Sequence, residues 1–236
     1  MQILSKRSFY YRILTNFNTL TRFSAISELL FIVHSVQNLI YVKNYLLILV
    51  VAFSSTFVVA QEPIEWNPDY ELQLSDYQSP ESEINAALTS YSIYSGSKID
   101  FSFNMNSVSF MFTKNFNSKV KAIFQKNLAV LIAPDSVTAN QLLQFGRYDF
   151  DLVELYARKI RKKIYEEKGA FSDSSLFQPI FNELQEEMNT VSAQVFKATD
   201  FGKDAEMLQK EHEKVTQKIH ALSDFCQSCK PKKIKN

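Results

Sequence analysis

Glycine is scarce in this chain, with 4 in 236 residues, and so are histidine with 3, cysteine with 2 and tryptophan with 1. Each scarcity excludes some chemistry. None of the glycines falls in a G-x-G-x-x-G or G-x-x-x-x-G-K-[ST] pattern, so the turns that lay backbone N–H groups against phosphates are missing. The histidines stand at His34, His212 and His220, one early and two late, and no Ser-His-Asp constellation can be assembled from them. His212 and His220 are eight residues apart, about 12 Å along a helix axis, too far to chelate one ion. The cysteines, Cys226 and Cys229, are spent on a single Cys-x-x-Cys, so there is no disulfide framework. A surplus of charge is missing too. The formal net charge is +1, and residues 1–60 set Lys6, Arg7, Arg12, Arg22 and Lys43 against Glu28 alone. The remainder, 61–236, is therefore mildly acidic, which removes the electrostatic case for nucleic acid.

What the chain does have is apolar sequence, 46% by composition, enough for a packed core. Part of it is an address. Lys43-Asn44-Tyr45 precedes the run LLILVVAFSSTFVVA and then Gln61-Glu62-Pro63. A short basic region, an apolar stretch and small residues at Val58 and Ala60 make residues 42–60 a secretory signal cut before Gln61. The product would be periplasmic or extracellular. The alternative is a membrane anchor retained through 45–60, a run shorter than the ~20 residues a span needs. Residues 1–41 are a doubtful extension. Val42 read as an alternative start would give an ordinary signal peptide.

Two patterns organise the exported part. Residues 61–87 hold Pro63, Pro68 and Pro80 and read as a loop-rich opening, with a short strand at Leu72 and Leu74. Residues 86–95 and 98–113 alternate apolar and polar. Ile99, Phe101, Phe103 and Met105 share one face, and Val108, Phe110 and Phe112 continue after a turn at Asn106-Ser107, which predicts antiparallel sheet. Residues 118–132 fit neither period. From Ser136 onward the period is helical: 138–167 capped by Gly169, then about 174–198, then about 203–225. Strands first and about three helices afterwards predict one α+β domain over 61–225, followed by the Cys-x-x-Cys and basic tail at 226–236.

Residues 142–164 carry the strongest lead. The stretch Leu142-Leu143-Gln144-Phe145-Gly146-Arg147-Tyr148-Asp149-Phe150-Asp151, then Glu154 and Ala157-Arg158-Lys159-Ile160-Arg161-Lys162, resembles the active-site helix of a bacterial, Bacteroidota-type family of predicted secreted zinc-dependent proteases. That helix reads roughly LL-x-HEQ-x-HFD-x-x-E-x-x-ARKLRK. Its two histidines bind zinc from one helix face, and its glutamate activates the metal-bound water. Residues 66–77, WNPDYELQLSDY, resemble the family's opening motif, and 195–213 resemble a late segment that brings a further histidine. The resemblance spans most of 61–225 and implies a zincin-like arrangement. It also implies that the chemistry is gone. Phe145 stands for the first histidine, Gly146 for the catalytic glutamate, Asp149 for the second histidine and Phe201 for the further one. Phe has no lone pair and Gly no side chain, while a catalytic zinc wants three protein ligands and a water. No metal and no cofactor is expected, and the enzyme reading leans to no.

Three other constellations each have a plain and a chemical reading. Asp149, Asp151 and Glu154 form an acidic cluster that would bind a hard cation or do acid–base work; the plain reading has Asp151 and Glu154 orienting the helix and Glu154 pairing with Arg158. Arg158, Lys159, Arg161, Lys162 and Lys163 read as a solvated basic face. Cys226 and Cys229 read as a small-loop disulfide or a surface thiol pair, against redox or zinc chemistry. The expected function is therefore an exported non-catalytic homologue with a binding or structural role, its cleft floored by Phe145, Tyr148 and Asp149. The alternatives are a residual enzyme using the acidic cluster with another metal, or a membrane-tethered interaction protein. The partner stays open, a peptide or protein of the cell envelope being the class this reading points to.

Overall fold

The computed structural model describes residues 62–102 and 104–231. The doubtful extension 1–41, the signal at 42–60, His34 and Phe103 lie outside the described residues. Residues 61–236 form a compact unit, and its hydrophobic core is drawn from residues between Leu72 and Ile219.

The fold is α+β. Strands β1 (Ile64–Glu65), β4 (Ser97–Phe101) and β5 (Val120–Phe124) make one antiparallel sheet in the order β1-β5-β4. Its register sets Ile64 against Phe124 and Ile99 against Ala122. Strands β2 (Glu83–Ile84), β3 (Ser92–Tyr94) and β6 (Val130–Ala133) make a second sheet in the order β2-β6-β3. There β6 runs antiparallel to β3 and parallel to β2. The centre strands of both sheets, β5 and β6, come from the stretch whose period was ambiguous. Their residues Val120, Ala122, Ile123, Phe124, Leu131 and Ala133 are buried, which erases the alternation that marks a half-exposed strand.

Among the described residues four helices follow or interrupt the strands: α1 (Ser107–Phe112), α2 (Ser136–Glu167), α3 (Phe177–Ala198) and α4 (Ala205–Ala221). Three of them start on a side-chain cap. Asn106 accepts from Ser109 N–H, Asp135 from Thr138 N–H and Asp204 from Met207 N–H. Helix α2 has 32 residues, about 48 Å of axis. It lies between the sheets and the other two long helices, so it is buried nearly all round. Leu142, Phe150, Leu152, Val153, Ile160 and Ile164 are each almost inaccessible. Helix α3 covers it with Ile180, Leu184, Met188 and Val195, and α4 with Leu208, Val215 and Ile219.

Several expectations are corrected. Leu72 and Leu74 do not make a strand. Leu72 is a core residue, and Leu74–Asp76 is a 3-10 turn closed by Asp76, which accepts from Gln73 N–H at 2.8 Å and from the Tyr70 hydroxyl at 2.7 Å. Residues 108–112 are helix rather than strand. The Asn106 cap starts a helix, and five residues of apparent alternation suit a turn and a half of helix as well as a strand. Gly169 does not cap α2; Lys168 closes it, donating its N–H to Ile164 O at 2.9 Å. The basic run is not one solvated face. Arg158 and Arg161 are 6% and 1% exposed, and only Lys159, Lys162 and Lys163 reach the surface.

Candidate functional site

Phe145, Gly146 and Asp149, the α2 positions expected to be degenerate, lie on the N-terminal half of α2, and each is packed or hydrogen-bonded. Phe145 is buried, with its ring centroid 4.6 Å from Phe196 of α3 and 5.7 Å from Tyr148. Phe196 in turn stands 4.6 Å from Phe201 in the α3–α4 turn. Phe145 and Phe201, far apart in sequence, are thus joined through one shared ring. The turn that delivers Phe201 is tight. Asp200, Phe201 and Gly202 have φ of 45°, 60° and 87°, a left-handed run. A Cβ at Gly202 would sit 2.8 Å from Gln141 O and 3.2 Å from Phe145 Cβ, so the turn needs glycine there to lie against α2.

Gly146 is tighter still. A Cβ there would fall inside the Tyr77 hydroxyl and 3.3 Å from Tyr77 Cζ. The Tyr77 phenol occupies the volume a side chain at 146 would need. Its hydroxyl is buried without a hydrogen-bond partner among the described residues, and burial, with the nearby Asp149 charge, pushes its pKa upward. Asp149 itself points between two hydroxyls. Ser95 donates to Oδ2 at 2.5 Å and Ser192 to Oδ1 at 2.6 Å. Burial raises its pKa, and the two serines only partly counter that. Tyr148 is fully buried, with its pKa raised mainly by desolvation.

The acidic cluster does not converge. Asp151 accepts from Trp66 Nε1 at 2.7 Å and faces His212 Nε2 at 2.6 Å. Glu154 accepts from Arg158 Nε at 2.8 Å and from Arg161 Nη1 at 2.9 Å. The three carboxylates thus serve three separate sets of partners. Among the described residues no group of three His, Cys, Asp or Glu side chains is placed to hold a metal.

Arg158 and Arg161 also hold the end of the chain. Arg158 donates to Ile219 O at 2.9 Å, and Arg161 donates to Val120 O at 2.7 and 2.9 Å and to Phe225 O at 3.0 Å. Beyond them Cys226 and Cys229 are joined in a disulfide, and Cys229 O accepts from both Asn115 and Asn117 Nδ2 at 3.1 Å. The pair is therefore a closed small loop.

Sequence reasoning missed the open site. Val137, Asn140, Gln141 and Gln144 of α2 and Ala205, Leu208, Gln209 and His212 of α4, with Gly202 between them, line a groove of about 540 Å³. A second cavity of about 390 Å³, floored by Trp66, Leu72, Arg147 and Phe150, adjoins it, and Gln144 and His212 line both. The Trp66–Asp151–His212 chain of hydrogen bonds stands at the junction. Its only sequence signal was helix spacing. Gln141 and Gln144 lie three apart on one turn, and Gln209 and His212 likewise, so each pair shares a face.

Comparison of the chain with protein-family models, with curated proteins and with solved structures finds no match. Among the described residues no helix is long and apolar enough to cross a membrane.

Proposed function

We propose that this chain is an exported, non-catalytic homologue of secreted zinc-dependent proteases that acts by binding. The observation that carries the reading is the Tyr77 hydroxyl seated where a side chain at Gly146 would begin. Phe145 and Phe201, which on this reading replace two metal-binding histidines, are packed on Phe196. Asp149, the carboxylate of this stretch, already accepts two hydroxyl hydrogen bonds.

With that cleft shut, binding falls to the α2–α4 groove. Asn140, Gln141, Gln144 and Gln209 give it carboxamides that both donate and accept, the chemistry of a peptide main chain. Val137 and Leu208 add apolar floor. The groove therefore suits an uncharged stretch of extended peptide. The test is fluorescence anisotropy with labelled peptides from a casein digest. Binding should be saturable, should leave the peptides uncleaved, and should weaken about tenfold when Gln144 and Gln209 are both changed to Ala, the loss of roughly one to two hydrogen bonds. Peptide cleavage, or binding unaffected by those changes, would overturn the reading.

A further inference from the structure

The Cys226–Cys229 disulfide takes no part in the α2–α4 groove. It closes a loop with a sequence separation of only 3. Cross-linking so few residues removes little entropy from the unfolded chain, so the bond adds little as a staple. The turn that carries it is already held by hydrogen bonds. Cys226 N–H donates to Ser223 O at 3.2 Å, and Cys229 N–H to Cys226 O at 3.1 Å. Asn117 Nδ2 reaches Asp224 O at 3.3 Å as well as Cys229 O, and Arg161 holds Phe225 O. None of these contacts needs the sulfur–sulfur bond. A pair that can open without loss of the turn around it can open and close reversibly.

The two sulfurs differ in access. Cys226, with Gln227 and Ser228, lines an open groove of about 430 Å³ together with Trp66, Asn67 and Pro68. Cys229 does not line it, and its carbonyl is held by Asn115 and Asn117. Ser228 Oγ lies 3.6 Å from Cys226 Sγ, near enough to donate to that sulfur. The carboxylates in the lining are already engaged, Glu65 by Lys121 and Gln227, and Glu154 by Arg158 and Arg161. What the groove offers a ligand is an apolar wall, Trp66 and Pro68, beside one reactive sulfur.

We propose that Cys226–Cys229 is a thiol–disulfide exchange site that takes a peptide segment carrying a pair of cysteine thiols. A thiolate of the partner attacks Cys226 Sγ. The Cys226–Cys229 bond breaks, and its electron pair leaves on Cys229 Sγ, which takes up a proton. The partner's second thiolate then attacks the partner sulfur of the mixed disulfide. Cys226 leaves as a thiolate and is protonated in turn. Two electrons pass from the partner, which ends as a disulfide, to the Cys226–Cys229 pair, which ends as two thiols. A dithiol is favoured over a single thiol because its second step is intramolecular, at an effective concentration in the millimolar range. The exchange uses none of the α2 motif positions and stands apart from the peptide groove.

The test uses oxidised 61–236, a unit with its own core, and a short uncharged peptide with a pair of reduced cysteines, under argon. Mass spectrometry should show the protein gaining two hydrogens as the peptide loses two. Glutathione at the same thiol concentration should react at least about tenfold more slowly. The unequal access of the two sulfurs gives a sharper arm. Offered the oxidised peptide, Cys229→Ser should accumulate the mixed disulfide through Cys226, and Cys226→Ser should do so at least about tenfold more slowly. Reduction of the parent should leave its circular dichroism spectrum unchanged, because hydrogen bonds hold the turn. No exchange with the peptide, exchange with glutathione at an equal rate, equal trapping by the two serine variants, or loss of helical signal on reduction would each overturn the proposal.

Discussion

On α2, Asp149 and Glu154 stand five residues apart and are stabilised in opposite ways. Among the described residues Asp149 pairs with no cation; Ser95 and Ser192 give it two neutral hydroxyl donors, and burial drives its pKa up. Glu154 has two buried guanidiniums, Arg158 and Arg161, which continue to the carbonyls of Val120, Ile219 and Phe225. The first half of the helix is a closed aromatic site with a weakly held charge. The second half is a charged clamp that ties the sheet, the end of α4 and the following turn to the helix. What this teaches is where the chain resists change: the second half is a buried ionic clamp, while the first half is packed aromatic rings around one carboxylate.

Breaking the clamp should have the largest effect. Arg161→Ala leaves Glu154 buried with one partner and frees Val120 O, and should cost about 3–5 kcal/mol in urea unfolding. On the motif half, Gly146→Ala should cost about 1–3 kcal/mol by forcing the Tyr77 ring aside. Most of that should vanish in a Tyr77→Phe background, because the phenol oxygen is the atom in the way. A double-mutant cycle measures this directly.

The charge on Asp149 gives a sharper contrast in pH. Its folded pKa lies above the ordinary 3.8, so its favourable contribution is complete below the unfolded value and is lost as pH rises through the folded one. Asp149→Asn removes that loss. The variant should match the parent near pH 4 and become progressively more stable than it towards neutrality in thermal melts. The smallest effect belongs to the basic run's surface. Lys159→Ala breaks a pair with Glu187 at 2.9 Å that water already screens, and should cost no more than about 1 kcal/mol.

The three long helices were legible because their apolar stripes hold over several turns, and Asp135 and Asp204 are ordinary caps. The Glu154–Arg158 pair was legible from its spacing of four. Strands β5 and β6 were not, because both faces of a centre strand are covered and the alternation disappears. The burial of Arg161 was hidden for a related reason: ARKIRKK reads as surface until tertiary carbonyls, Val120 O and Phe225 O, come to meet the guanidinium. Asp151 and His212 lie 61 residues apart, and Trp66 is a further 85 from Asp151, so nothing local announces their contact. The packing of Phe196 on Phe145 and of the Tyr77 phenol against Gly146 was not legible either, because both contacts join residues far apart in the chain.

The measurement that bears most directly on the central claim is the metal content of purified 61–236, equilibrated with zinc, dialysed and read by inductively coupled plasma mass spectrometry. A packed-shut cleft predicts zinc far below one ion per chain, with no change when Asp149 is replaced by Asn. One tightly held zinc per chain, lost on that replacement, would contradict the account.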